Sequence, residues 1–132
     1  MSTGIPGYSS PAYIPGLIAG GNLSAELGKV VKPASTANAV VVVTATTSVA
    51  VGILADAPTA GQAAQVQYQG IAIAIAGVND LAVGENVGYN STGQVVDHVT
   101  DNRMSIGHAL DTSSAVGDKV RVQLYGGGSQ RY

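Results

Sequence analysis

The sequence predicts an all-β fold in a single domain, and three observations carry that expectation. The first is the closing stretch, Ile106 to Tyr125, where side chains alternate with a period of two on either side of Val116-Gly117-Asp118. Val120, Val122 and Leu124 fall on one face there, and Lys119, Arg121, Gln123 and Tyr125 on the other, the order of a strand with one face buried. The second is that Val51 to Gly70 spells the same pattern. Gly52 matches Gly107 and Asp56 matches Asp111; after a one-residue slip, Gly61, Val66 and Gly70 match Gly117, Val122 and Gly126. A duplicated β unit explains this, and so do two unrelated hairpins that share turn chemistry. The third is Val40-Val41-Val42-Val43, a β-branched run suited to a strand covered on both faces.

Taken in order, the chain begins with a different kind of sequence. Residues 1–28 carry Pro6, Pro11 and Pro15 among six glycines, which denies them a helix. Tyr8, Tyr13, Ile14, Leu17 and Ile18 are apolar anchors along an extended strap. Such an arm packs on its own domain or grips a neighbour. The β domain then spans 29–126, and the glycine-rich 127–132 reads as a flexible tail. A short strand or helical turn is expected around Ala25-Glu26-Leu27, and a loop over Pro33 to Asn38. Gln65, Gln67 and Gln69 alternate with Val66 and Tyr68, and Ile71-Ala72-Ile73-Ala74-Ile75-Ala76 follows. In an unbroken strand the isoleucines share the glutamine face, so Gly70 is expected to mark a bulge, kink or turn. The flat row of Ala72, Ala74 and Ala76 is read as a site of close approach, by a neighbouring subunit or by the chain's own core. Leu81 to Val96 reads as strand, hairpin, strand, with Asn90 to Gly93 as the turn.

Composition bounds the function. A chain of 132 residues buries about two-thirds of its extended surface, enough for a core. With no Phe and no Trp, that core is built from small aliphatic residues. Only 11% of residues are charged, too few for the mixed charged surface of a soluble monomer, so self-association or a covering partner is expected. A net charge of −2 with six scattered basic residues gives no footprint for nucleic acid. The amino terminus has no charge before Glu26 and no continuous apolar run, which reads as neither a signal peptide nor a membrane span. No membrane partner is expected.

The search for chemistry returns no catalytic, cofactor-binding or metal-binding set. There is no Cys. His98 lies between Asp97 and Asp101, a spacing that fits no known ligand pattern. His108 takes the place of Ile53 in the repeated unit, and reads as a packed or interface residue. The carboxylates sit mostly at turns, where Asp accepts local backbone hydrogen bonds. No phosphate-binding glycine loop is present. An enzyme is not expected.

The succession V-G-I-L-A-D-A, Q-V-Q-Y-Q-G-I-A, L-A-V-G-E-N-V-G-Y-N-S-T-G-Q-V-V, I-G-H-A-L-D and V-G-D-K-V-R-V-Q-L-Y behind an apolar arm resembles the capsid decoration (cement) proteins of tailed bacteriophages. The resemblance covers roughly Val40 to Tyr125. It implies a small β-barrel or β-tulip-like domain, a homotrimer, the major capsid protein as partner, and a place on the outer capsid surface of a virion assembled in the host cytoplasm. It also implies that the arm, through Tyr8, Tyr13, Ile14, Leu17 and Ile18, reaches onto the capsid lattice. The scarcity of Lys, Arg and aromatic residues in the body departs from that family. A carbohydrate-binding β module of a phage fibre or surface appendage is the alternative, with Tyr68, Tyr89 and Tyr125 as its candidate platform.

Overall fold

β-Branched runs and period-two alternation become strands throughout the computed structural model, which describes residues 11–97, 104–125 and 130–131. The strands are β1 (Ala12–Tyr13), β2 (Ile18–Ala19), β3 (Val30–Pro33), β4 (Ala39–Val42), β5 (Gly52–Leu54), β6 (Val66–Ile75), β7 (Asn86–Tyr89), β8 (Val95–Asp97), β9 (Met104–Ser105), β10 (Gly107–Ala109), β11 (Lys119–Tyr125) and β12 (Gln130–Arg131). One mixed sheet runs in the order β2-β4-β3-β5-β6-β11-β10-β7-β8, with β1 added to β6; β9 and β12 pair separately. Among the described residues, β2 and β4 form the one parallel strand pair, and a single parallel bridge joins Ala76 to Val95. The all-β expectation holds.

The sheet does not close into the expected barrel. Its ladder has two ends, β2 and β8, among the described residues. Single bonds bring the β7–β8 hairpin over the first half: Val30 N–H donates to Gly93 O, and Gly77 N–H to Val95 O. Those bonds fix position without zipping a seam.

Two apolar clusters flank the central strands. Val30, Val43 and Ile53 join the alanines of β6 and the inward faces of β7, β10 and β11 in the larger one. Val31, Val40, Leu54 and Val66 form the smaller one. Neighbouring residues on β3 and β5 therefore point into different clusters, so these strands are buried on both sides. In the β-branched run, Val40 and Val43 are buried in opposite clusters, while Val41 and Val42 between them are half-buried.

Much of the smaller cluster is closed by the segment read as an arm. Ala19 and Leu23 are buried in it, and Ile14 and Leu17 pack against it. Ile14 N–H donates to Val66 O, Ile18 N–H to Asn38 O, and Ala19 N–H to Gln62 O. Residues 11–28 thus belong to the β domain, and the expected boundary at residue 28 falls inside it. The tail expected over 127–132 contributes β12, whose backbone pairs with Met104 and Ser105. Around Ala25 to Leu27 the chain turns without forming a strand or helix.

The repeated unit is real in three dimensions. Ile53 pairs with Gln67 as His108 pairs with Gln123, and Leu54 with Val66 as Ala109 with Val122. Asp56 accepts from Gln65 N–H, and Asp111 from Arg121 N–H, at the same place in each hairpin. Gly61 and Gly117 both take positive φ, 80° and 99°. The second copy adds an ion pair that the first lacks, Arg121 Nη2 to Asp111 Oδ1 at 2.9 Å, because Gln65 stands where Arg121 does. That guanidinium donates to Asp111 and holds its carboxyl at a pKa of about 2.

Candidate interaction face

β6 is the longest strand, and its alternation sorts residues by size. Ala72, Ala74 and Ala76 point into the larger cluster, with Ala74 and Ala76 wholly buried. The close neighbour that the flat row meets is therefore the chain's own core, and the subunit-contact reading of these alanines is corrected accordingly. The small side chains let facing strands pack tightly, as required when no Phe or Trp fills the interior.

The isoleucines take the other face. Ile71 and Ile75 are half-buried and Ile73 is 51% exposed, unusual for a β-branched aliphatic at mid-strand. Beside them stand Leu27, 50% exposed, and Tyr13, 41% exposed. Together they line a groove of about 850 Å³, whose charged wall residue is Lys119. Apolar residues gathered in this way mark contact sites more often than apolar residues scattered singly.

Backbone geometry explains why the groove exists. Gly70 has a φ of 87°, and next to it the β1–β6 register slips by one residue, from Tyr13↔Gln67 to Ala12↔Gln69. The expected irregularity at Gly70 is present, yet β6 continues through it as one strand. Buried Gln67 steadies the irregular stretch, since its Nε2 donates to Gln69 O at 3.0 Å and Ile71 O at 2.9 Å. At the far end of the groove, Ile75 N–H donates to Gly28 O. A Cβ on Gly28 would sit 3.1 Å from the Ile75 side chain.

The anchors read from sequence divide. Tyr13 and Ile18 are exposed, whereas Ile14 and Leu17 pack on the smaller cluster. Tyr8 and His98 lie outside the described residues. The sequence shows the parity that joins Ile71, Ile73 and Ile75 to Gln69, but the isoleucine face was not among the candidate sites read from it.

Elsewhere the polar groups serve the fold. Tyr125 OH donates to Asn86 Oδ1 at 2.8 Å and lies 3.2 Å from Ser105 Oγ, which donates to Val87 O. Exposed His108 meets the Tyr125 ring edge-on at 5.2 Å. Tyr89 is buried, with its hydroxyl donating to Ser48 O. With Tyr68 and Tyr125 half-buried as well, the three tyrosines do not form the open aromatic platform that a carbohydrate module uses. Among the described residues, no group of three or more His, Asp or Glu is placed to hold a metal ion.

No protein-family model matches the chain, and no curated protein matches it. Among solved structures, the chain is similar to the N base of head fiber gp8.5 in bacteriophage phi29. The TM-score is 0.63 at 16% identity, over 86% of this chain and 94% of that one. At that identity the likeness is one of fold.

Proposed function

We propose that this chain is a structural protein of a phage virion, a capsid decoration protein that seats on the outer surface of the head. The observation that carries the reading is the fold likeness to a head-fibre base, which extends over nearly all of both chains. The composition supports it: few charges, and an apolar groove with Leu27, Ile73 and Tyr13 open beside it, suit a protein covered by neighbours. The partner is the major capsid protein, and the protein acts as a homotrimer. Tyr13 and Ile18 are the residues of the amino-terminal segment turned toward the shell. Three such contacts from one trimer act together, so modest individual contacts give slow release.

Co-sedimentation with undecorated phage heads tests the reading. Saturable binding that weakens when Tyr13 and Ile18 are both replaced by Ser is expected. Absence of the protein from heads at any concentration refutes it. Native mass spectrometry of the free and head-bound protein tests the trimer, and a monomer in both settings rejects that part alone.

A further inference from the structure

We propose that the groove takes an acidic, apolar polypeptide segment of the protein it docks on, with a carboxylate meeting Lys119 and apolar side chains covering Ile73. This rests on the head-binding reading and specifies the chemistry of the surface met on the head. In the antiparallel pairing of β6 with β11, Ile75 stands directly opposite Lys119 and Ile73 directly opposite Arg121. Directly opposed residues share a face of the sheet, with Cβ atoms about 5 Å apart. An apolar row and a basic row therefore run side by side on the outer face. Lys119, Arg121 and Ile73 are all exposed there. Any neighbour that covers the isoleucines comes to lie against these cations as well.

The two cations differ in how far they are compensated. Arg121 donates to both oxygens of Asp111, from Nε at 3.0 Å and from Nη2 at 2.9 Å. Lys119 has no ion-pair partner among the described residues. The carboxylates close to it in the chain or beside the groove are engaged elsewhere. Asp118 accepts from the amides of Ser114 and Ala115, at 2.9 and 3.0 Å, within its own turn. Glu26, between the lining residues Ala25 and Leu27, is held by Lys29 at 2.8 Å. In a chain of net charge −2, the groove thus carries an uncompensated positive charge. A neutral apolar surface laid over it would strip water from the ammonium and return nothing, a cost that a carboxylate offsets. Charge complementarity selects an acidic occupant, and exposed Tyr13, Leu27 and Ile73 select an apolar one. A polypeptide carries both on neighbouring side chains. From Ile71 to Ile75 the row extends about 13 Å, the length of roughly four residues of extended chain.

Co-sedimentation with undecorated phage heads, run on the full chain and three variants, tests the proposal. Lys119→Glu reverses the charge, Lys119→Met keeps an aliphatic stem without it, and Ile73→Ser interrupts the apolar row. Lys119→Glu and Ile73→Ser are each expected to weaken apparent affinity for heads about tenfold or more, and Lys119→Met less. Added salt should weaken the parent more than Lys119→Met, which lacks the attraction that salt screens. Parent binding that Lys119→Glu or Ile73→Ser matches overturns the proposal and leaves the head-binding reading standing. Heads that take up neither parent nor variants refute both. Native mass spectrometry of the variants covers the other occupant: a change in subunit number assigns the groove to a second copy and also overturns the proposal. Should Ile73→Ser melt early, the two Lys119 variants decide.

Discussion

The matched glycines of the two hairpins, Gly52 and Gly107, offer a direct test of the repeated unit. Each lies where a facing strand passes too close for a side chain. A Cβ on Gly107 would sit 2.9 Å from the carbonyl carbon of Gln123 and 3.1 Å from Val122 Cγ1, and nearer still to the Gln123 oxygen. A Cβ on Gly52 would meet the equivalent groups, 3.0 Å from the Gln67 carbonyl carbon and 2.9 Å from Val66 Cγ1. Ordinary contact needs more room, so the ladder must shift, and inserting a methyl into such a place costs about 1–3 kcal/mol. Lower backbone entropy in the unfolded chain returns about 0.4–1 kcal/mol. Because the obstacle is main chain and not a flexible side chain, the upper end of the cost applies, and the net loss is about 2 kcal/mol. In a chain of this length that lowers the melting temperature by roughly 8 °C. Thermal melts of Gly52→Ala and Gly107→Ala should show similar drops. Gly21→Ala, whose added Cβ meets nothing within 4 Å, should melt close to the parent. If Gly52→Ala and Gly107→Ala melt with Gly21→Ala, the strands do not approach as described and the repeat is only a pattern of letters.

Three further outcomes follow from the same structure. Deleting residues 1–21 removes Ala19 and the β2–β4 pairing, so it should lower the melting temperature far more than deleting residues 1–10; equal melts would return residues 11–21 to the status of a free strap. Replacing Ala74 by Leu crowds a fully buried site and should cost about 1–3 kcal/mol in a denaturant titration, whereas Ile73→Ser on the opposite face should change stability little. The Asp111 carboxyl is held at a pKa of about 2 by Arg121, below its unfolded value, so its contribution is present above the ordinary carboxylate range and fades as pH falls toward 2. The stability difference between parent and Asp111→Asn should therefore shrink across that window; a difference constant with pH would rule the pair out as its source.

What could be read from the sequence was what depends on near neighbours. The hairpin partners at Gly52/Asp56 and Gly107/Asp111 and the turn at Asn90 to Gly93 are written in local spacing and appear as expected, whereas the Val40–Val43 run is fully buried only at its two ends. The inward placement of Val120, Val122 and Leu124 follows from the same period of two. Failures arose where a residue's surroundings come from far along the chain. Ile14, Leu17 and Leu23 have no periodicity of their own, because their burial is decided by β4 and by the loop that holds Gln62 and Ala64, dozens of residues later. A segment without alternation therefore resembles a strap whether it docks on a neighbour or on its own domain.

The outcome on β6 has a different cause. The sequence left the alanine row against a neighbouring subunit or against the chain's own core, and offered Gly70 as a place to reverse the glutamine parity. The fold takes the core, because the interior already receives Val120, Val122 and Leu124 from β11 and Val87 and Tyr89 from β7. Bulky residues from both strands of the β6–β11 pair would overfill that layer, so one strand must supply the small partners. The isoleucines are thereby turned outward by a volume constraint set elsewhere, and an apolar row is left on the surface. A row produced in that way would be a liability on an open sheet edge unless something covers it. The same volume constraint therefore explains both the alanine core and the apolar groove that Ile71, Ile73 and Ile75 line on the opposite face.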